Sequence, residues 1–557
     1  MPRTHNKRCF TGQDDGFSDS CRGYLGALSP VVLQAGDGNA TRTGFGCAAH
    51  PASTSASLWR QARLSTRQGL FEVVPGIYQV RGLDLCNMTL VEGCDGVIVI
   101  DPLISTECAA TALALYRAHR GERPVSAVIY THGHADHCAG VRGVTGGGVP
   151  VIAARGFAQN VLAGPAMMRR SLADPAGLAG LIAPTVDITV TGQEEKADGV
   201  WMIFQTGPGA EMNFFFPDQG VLCLAENAAH VVHDAVTPHG ALMHDPRTWA
   251  RYLTETIGLF ADRSEAVFGS HHWPTWGQDR VLAFLSGQRD MYAYLHDQSV
   301  RLIRQGYPGT EITQALALPP VLDAQWNARG QHGSFSRYVQ ALYQRYTGWV
   351  DGPWEHTPVQ ASRRYLEYMG GADAVLAMAS QSLAGGDPRW TVQVLTHVLH
   401  GDPSCARARE LRAVALELLG YDALAWPDPL AVPDSPAAPD RLTADLLATL
   451  SSGQLFDALA IRLDGPRAAA TRLVLGCEFT DRSESWTLLL SNGVLTAIAG
   501  PAPAGEPPVL MLSLGRPVLD AVLTGATLVQ DEVAAGRIVL GGDPAAFTTL
   551  LALLDAP

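Results

Sequence analysis

In Thr131-His132-Gly133-His134-Ala135-Asp136-His137, four side chains that commonly bind metal, H-x-H-x-D-H, fall within six positions immediately after an apolar run. That run, Val125 to Tyr130, reads as a buried strand. If the chain stays extended past its end, His132 and His134 project to the same side and can share one ion. Asp136 and His137 follow where the chain must turn, with Gly140 and Gly143 loosening the exit, so this second pair can face a neighbouring ion. Two metal ions are implied. Imidazole with carboxylate suits Zn2+, or less selectively Mn2+ or Fe2+. The competing reading is a polar loop whose histidines are satisfied by ordinary hydrogen bonds.

At 557 residues the chain is too long for one core and should form about three domains. With 47% hydrophobic and 17% charged residues it reads as globular rather than disordered. The net charge of −14 argues against a nucleic-acid partner, because phosphate binding needs a basic face. No apolar stretch approaches the roughly 20 residues of a membrane helix, which argues against stable membrane insertion. Met1–Phe10 lacks the apolar core of an export signal, so the expected location is cytoplasmic. The ten cysteines contain no C-x-x-C pair, which disfavours a disulfide framework or structural zinc knot. Most read as small buried hydrophobes. Cys138, next to the metal motif, is also a candidate ligand or redox switch.

Residues 1–69, rich in Gly, Ser, Thr and Asn, read as an extension that wraps a neighbour or is partly disordered, with order beginning near Phe71. Strands are predicted at Gly76–Val80, Val97–Ile100, Pro150–Ala153, Trp201–Gln205, Asn213–Phe216 and Val221–Ala225, and a helix over Thr106–His119. Residues 70–290 thus read as an α/β unit of the αββα sandwich type, each β-unit delivering a ligand at its end. The pattern then turns helical (291–425), with helices at Met291–Gln305, Ser334–Tyr346, Ala372–Leu383, Thr391–His400 and Cys405–Leu419. A Pro-rich linker (426–440) leads to a small α+β domain (441–557), with a strand at Arg472–Phe479, a hairpin Trp486–Ala499 turning at Asn492-Gly493, and a strand at Val509–Leu514.

The motif spacing matches the metallo-β-lactamase superfamily. From about Phe71 onward the chain resembles the metallo-β-lactamase-type alkyl sulfatases. The matching strings are Val74-Pro75-Gly76-Ile77-Tyr78-Gln79-Val80-Arg81-Gly82, Asp84-Leu85 followed by Asn87-Met88, Val99-Ile100-Asp101-Pro102, the H-x-H-x-D-H motif, Ala225-Glu226-Asn227, Ser270-His271-His272-Trp273-Pro274 and Tyr343-Gln344-Arg345-Tyr346 with Gly348-Trp349. The resemblance implies a catalytic sandwich, an all-α dimerisation domain that makes the protein a homodimer, and a C-terminal domain like sterol carrier protein 2. It also implies that Glu226 touches both metals and that His271 is the late ligand of the second, with His272 as the fallback. The implied substrate is a small amphiphilic sulfate ester such as dodecyl sulfate, split into alcohol and sulfate.

Departures from the family pattern matter as much. Where relatives usually carry Thr-Glu-Ala-Pro-Ala-Glu-Met, this chain has Thr206-Gly207-Pro208-Gly209-Ala210-Glu211-Met212, so Gly207 stands where a metal-binding glutamate is expected. Glu211 can replace it only if the Pro-Gly loop re-routes. Asp234 stands where an asparagine is usual and His239 where an arginine is usual. Both changes disfavour an anion in the expected sulfate pocket. The segment Val161–Ile182 is also shortened. His239 and His244 are the nearby candidates to protonate a leaving alkoxide. The alternating Leu488, Leu490, Leu510 and Leu512 either line a lipid path or fill a small core. The alternatives to an alkyl sulfatase are a hydrolase of another ester, lactone or phosphoester, and a metal-poor, lipid-binding dimer.

Overall fold

The computed structural model describes residues 15–28, 31–35, 38–42, 56–65, 67–163, 180–207, 209–231, 245–316, 318–323, 335–347, 356–419, 447, 450–491, 493–502 and 507–554. Asp234, His239, His244 and the Pro-rich linker lie outside them, as does most of Val161–Ile182.

Strand β1 (Tyr24–Gly26) precedes a separate hairpin of β2 (Val31–Ala35) and β3 (Gly38–Arg42). Then come β4 (Gly69–Val74), β5 (Ile77–Arg81), β6 (Met88–Glu92), β7 (Val97–Ile100), β8 (Val125–Ile129), β9 (Val151–Ala154) and β10 (Val186–Ile188). These form an eight-stranded sheet ordered β1-β4-β5-β6-β7-β8-β9-β10. The chain meanders antiparallel as far as β7 and runs parallel from β7 to β10. A second sheet of six strands follows in chain order: β11 (Glu194–Ala197), β12 (Val200–Thr206), β13 (Met212–Phe216), β14 (Val221–Cys223), β15 (Ala266–Phe268) and β16 (Thr275–Trp276).

The two sheets face each other across one apolar layer. Ile77, Ile98, Ile100, Ile129 and Ile152 from the first meet Met202, Phe204, Phe214, Phe216 and Phe268 from the second, all at most 2% exposed. Truncating one of these phenylalanines to alanine would cost about 3–5 kcal/mol. Strands such as Val97-Ile98-Val99-Ile100 are apolar throughout because both faces are covered. The outer face of the first sheet carries the helix Thr106–Arg120, capped by the Ser105 hydroxyl and ended at Gly121 with φ 87°. Outside the second lie the helices Pro246–Phe260 and Gln278–Arg304, packed through Trp249, Leu253, Leu285, Tyr292 and Leu295. This is the αββα arrangement.

Two features differ from the sequence reading. Residues 15–28, within the stretch read as an extension that wraps a neighbour or is partly disordered, pack on their own chain: β1 pairs with β4 in the first sheet, and Asp19 forms an ion pair with Arg280. The division at 290/291 falls inside a single helix, Gln278–Arg304. Beyond it, the helices Pro358–Tyr368, Ala372–Ala384, Pro388–Gly401 and Ala406–Leu418 enclose their own core of Val375, Ala379, Leu395, Val398 and Ala408. Pro388–Gly401 is the central helix, packing against each of the other three.

The C-terminal unit has a five-stranded sheet ordered β19-β18-β17-β20-β21, from β17 (Leu473–Phe479), β18 (Glu484–Ser491), β19 (Val494–Ala499), β20 (Leu510–Leu514) and β21 (Ile538–Gly542). Leu488, Leu490, Leu510 and Leu512 are at most 3% exposed and join a cluster with Phe456, Leu459, Phe547 and Leu550. Core packing therefore accounts for their alternation. No described helix is long and apolar enough to cross a membrane.

Candidate metal centre

Parallel pairing of β7 with β8 and of β14 with β15 puts the ends of all four strands on one edge of the sandwich. The loops leaving them carry the predicted site residues. Several of these turns use left-handed backbone at non-glycine residues: Asp101 (φ 53°), Ala225 (49°) and His272 (64°). Such conformations cost about 1–3 kcal/mol each and persist where surrounding contacts enforce them. At Ala225 the kink ends the strand and turns Glu226 into the site.

The structure brings His132, His134, Asp136, His137, Glu226 and His271 together. Glu226 Oε1 lies 2.9 Å from His132 Nε2 and 3.1 Å from His134 Nδ1. Its other oxygen, Oε2, lies 3.6 Å from His137 Nε2 and 3.4 Å from His271 Nε2. Asp136 Oδ2 is 3.2 Å from His137 Nε2 and 3.9 Å from His271 Nε2. One carboxylate thus spans two donor sets. His132–His134–Glu226 and His137–Glu226–His271 each gather their ligand atoms within 4.8 Å, and so does a third set, Cys86–Asp136–His137. His271, not His272, faces Glu226. His272 instead sets its ring edge-on to Trp273, 5.8 Å between centroids.

A buried carboxylate orients the histidines. Asp101 Oδ2 accepts from His137 Nδ1 (2.8 Å), the Thr131 hydroxyl (2.8 Å) and the Ser270 hydroxyl (2.6 Å), and Oδ1 accepts from the Thr131 backbone N–H (2.9 Å). The Thr131 hydroxyl, donating to Asp101, is free to accept from His132 Nδ1 at 3.0 Å. His271 Nδ1 donates to the Leu85 carbonyl at 3.2 Å. Each contact puts the ring proton on Nδ1 and leaves Nε2 as the lone-pair donor, the arrangement in which outer hydrogen bonds fix metal-binding histidines. His134 differs, presenting Nδ1.

The donor set fits divalent metal. His132 Nε2 and His137 Nε2 are buried and make no hydrogen bond, although carboxylate oxygens stand beside them. Burial, only partly opposed by Glu226, lowers His132 to about 4, so it is a neutral imidazole at pH 7. Burial also works against charge on His137, but Asp136 and Asp101 outweigh it and hold its pKa well above the ordinary value. For Asp136, burial is outweighed by His137, His271 and His134, which keep it ionised. The pocket is negative enough to pull protons onto an imidazole, and a cation satisfies that field without them.

At the Gly207 position the structure shows a tight turn. Gly207 N–H donates to the Glu211 carbonyl at 2.6 Å, and the Glu211 carboxylate curls back to accept from Gly209 N–H at 2.7 Å. A Cβ on Gly207 would meet Glu211 Oε2 at 3.0 Å. Glu211 joins none of the metal-capable groups among the described residues. The first donor set therefore consists of two histidines and a shared carboxylate, with no side chain from the Gly207 turn added to it among the described residues. Cys138 donates to the His134 carbonyl at 3.2 Å and likewise belongs to no such group. Sequence reasoning missed Asp101, Thr131, Ser270 and Cys86. Asp101 lies in one of the matched strings, directly after a predicted strand, yet nothing in its local sequence marks it as the carboxylate behind the histidines.

Comparison with known proteins places three family matches along the chain: metallo-beta-lactamase superfamily at 81–217, alkyl sulfatase dimerisation at 308–427 and alkyl sulfatase C-terminal at 441–557. A linear primary-alkylsulfatase of Pseudomonas sp. is 37% identical over 97% of this chain and 88% of the relative. The alkyl/aryl-sulfatase BDS1 of Saccharomyces cerevisiae is 36% identical over 97% and 91%. The solved structure of the stereoselective inverting sec-alkylsulfatase Pisa1 from Pseudomonas sp. superposes with a TM-score of 0.82 at 33% identity, covering 98% of this chain and 94% of that one.

Proposed function

The chain belongs to the alkyl sulfatase family of metallo-β-lactamase-fold hydrolases, and from that membership we propose that it cleaves dodecyl-sulfate-like alkyl sulfate esters at a pair of divalent ions. The observation that carries the proposal is Glu226, whose two oxygens each face a separate pair of histidines. In this reading His132, His134 and Glu226 hold the first ion, and Asp136, His137, His271 and Glu226 the second. Zn2+ suits the mixed imidazole and carboxylate set, with Mn2+ or Fe2+ as alternatives. When bound, two such ions supply hydroxide at neutral pH and polarise an ester oxygen.

The protein's own part is to aim those ligands. Asp101 holds His137 directly and His132 through the Thr131 hydroxyl, and Leu85 holds His271. The leaving alkoxide requires a proton, and His239 and His244 are the proposed donors on sequence grounds. Incubating metal-loaded protein with dodecyl sulfate, an aryl phosphodiester and a lactone tests the substrate class. Sulfate release from the first with little turnover of the others is the expected result, and preference for the phosphodiester or the lactone would refute it.

One observation favours a weaker variant of this reading. The first donor set lacks a side chain at Gly207, and Glu211 is engaged in the turn, so the first ion is held less tightly than the second. A homodimer built on the helical region is part of the same proposal. It is supported by the dimerisation-family match and by the exposed Tyr365, Tyr368, Met378 and Trp390 on that region's helices.

A further inference from the structure

Cys86 is a buried thiol at the metal centre that the proposed reaction does not use. It is 1% exposed and lies in the β5–β6 loop, between the matched residues Leu85 and Asn87. That loop is fixed against the site on both sides: Leu85 O accepts from His271 Nδ1, while Asn87 N–H donates to Ser270 O at 2.6 Å and its side-chain amide to His272 O at 2.8 Å. The thiol itself donates to the backbone carbonyl of Asp136 at 2.6 Å. Cys86 Sγ, an Asp136 carboxylate oxygen and a His137 ring nitrogen all lie within 4.8 Å of one another.

A buried cysteine is more often an inert small side chain than a ligand. Here a second observation points to a ligand: His137 Nε2 is fully buried and without a hydrogen bond, while Nδ1 is already committed to Asp101. His137 is shared by the Cys86–Asp136–His137 set and the His137–Glu226–His271 set. The sulfur is therefore gathered at the second ion's side of the centre, where donors are already more numerous. Cys138, equally buried, is the internal contrast: it too donates to a backbone carbonyl, that of His134, but it joins no donor set among the described residues.

We propose that Cys86 is a sulfur donor to the second ion, making that half of the centre selective for thiophilic ions such as Zn2+, Co2+ and Cd2+ over Mn2+. The inference rests on the metal-centre reading above and narrows it to a choice of ion. On binding, the S–H bond breaks, the proton leaves to solvent, and the sulfur–metal bond forms with no change in oxidation state. Soft thiolate favours zinc and its thiophilic analogues, whereas an all-oxygen and imidazole shell discriminates less.

Full-length protein stripped with a chelator and titrated with Co2+ reads this out apart from turnover. The native chain should show both visible d–d bands and a near-ultraviolet sulfur-to-cobalt charge-transfer band. Cys86→Ser should keep the former and lose the latter, and Cys138→Ser should keep both. The ratio of Zn2+ to Mn2+ affinity should fall roughly 10- to 100-fold in Cys86→Ser, at least the loss typical of disturbing an outer-shell partner. Should that variant not fold, X-ray absorption at the zinc edge of native protein should still show sulfur in the coordination shell, and a shell of nitrogen and oxygen alone would overturn the proposal. Native protein with d–d bands but no charge-transfer band would remove Cys86 and leave the metal centre standing. Failure to bind Co2+ at all would overturn both.

Discussion

Replacing Asp101 by asparagine tests whether the site is built around that carboxylate. Asp101 accepts four hydrogen bonds, three of them on Oδ2. An asparagine keeps one acceptor. If its oxygen takes the Oδ2 position, the amide N–H2 faces the Thr131 backbone N–H, and two donors oppose each other in a site 1% exposed. The opposite flip leaves three donors without an acceptor, which is worse. Three bonds would then drop from charge-assisted to neutral strength, about 1 kcal/mol each, and one buried N–H would lose its partner at about 1–3 kcal/mol. The expected loss is about 4–6 kcal/mol in the unfolding free energy of metal-stripped protein, measured by urea denaturation. Zinc affinity, measured by chelator competition, should fall roughly 10- to 100-fold because His137 and His132 lose their orientation. Ser270→Ala, which removes one bond and keeps the charge, sets the scale at about 1–3 kcal/mol. An Asp101→Asn variant within about 1 kcal/mol of native stability, with native zinc affinity, would show that the histidines are aimed by something else.

Gly207→Glu should tighten the weaker of two bound ions by about tenfold or more, read as metal retained after dialysis. A Cβ there would meet Glu211 Oε2 at 3.0 Å and the Glu211 carbonyl oxygen at 3.1 Å, so the turn must shift slightly to admit it, and two tightly retained ions in the native chain would contradict the weak-site reading. His230 gives a pH prediction. Burial, with Arg60 and Arg280 acting in the same direction against the Trp273 carbonyl, lowers it to about 4. The unfolded chain, near 6.5, binds more protons over that window, so stability is full above about pH 6.5 and falls as pH drops toward 4. The loss is at most about 3 kcal/mol, and less because the ring is partly exposed. His230→Gln should flatten that acid limb in pH-dependent denaturation, and an unchanged slope would contradict it. Light scattering should give twice the chain mass, with Tyr365→Glu combined with Tyr368→Glu shifting it to one, and a native monomer at micromolar concentration would refute the dimer.

The six residues that converge on the site were legible for two reasons. Four sit in one contiguous motif, and Glu226 and His271 carry recognisable neighbours at strand ends. What orients them was not legible. Asp101 and Thr131 meet only because β7 and β8 pair in parallel, and Ser270 arrives from the other sheet, 169 positions from Asp101. Cys86 had no local signal at all, since its role depends on a loop folded over Asp136. The strands β5, β7, β8, β9, β12, β13 and β14 were recovered to within two residues because alternating or continuous burial leaves a clear period, whereas β1, β4, β6, β10, β11, β15 and β16 were not read from the sequence. The start of Gln278–Arg304 was missed because Ser286-Gly287 looks like a break. Gly287 is in fact buried inside the helix, where a small residue is tolerated at about 1 kcal/mol.

That helix carries a consequence for how such a chain can diversify. Met291, Tyr292 and Leu295 cover the second sheet's outer face, yet they lie past the point where a sequence-based cut would separate the catalytic part from the helical one. A gene fragment ending at residue 290 would encode two sheets with one of their covers torn open, and a recombination event there would transplant half a core. A cut placed beyond Arg304 would instead leave Met291, Tyr292 and Leu295 in place on the second sheet.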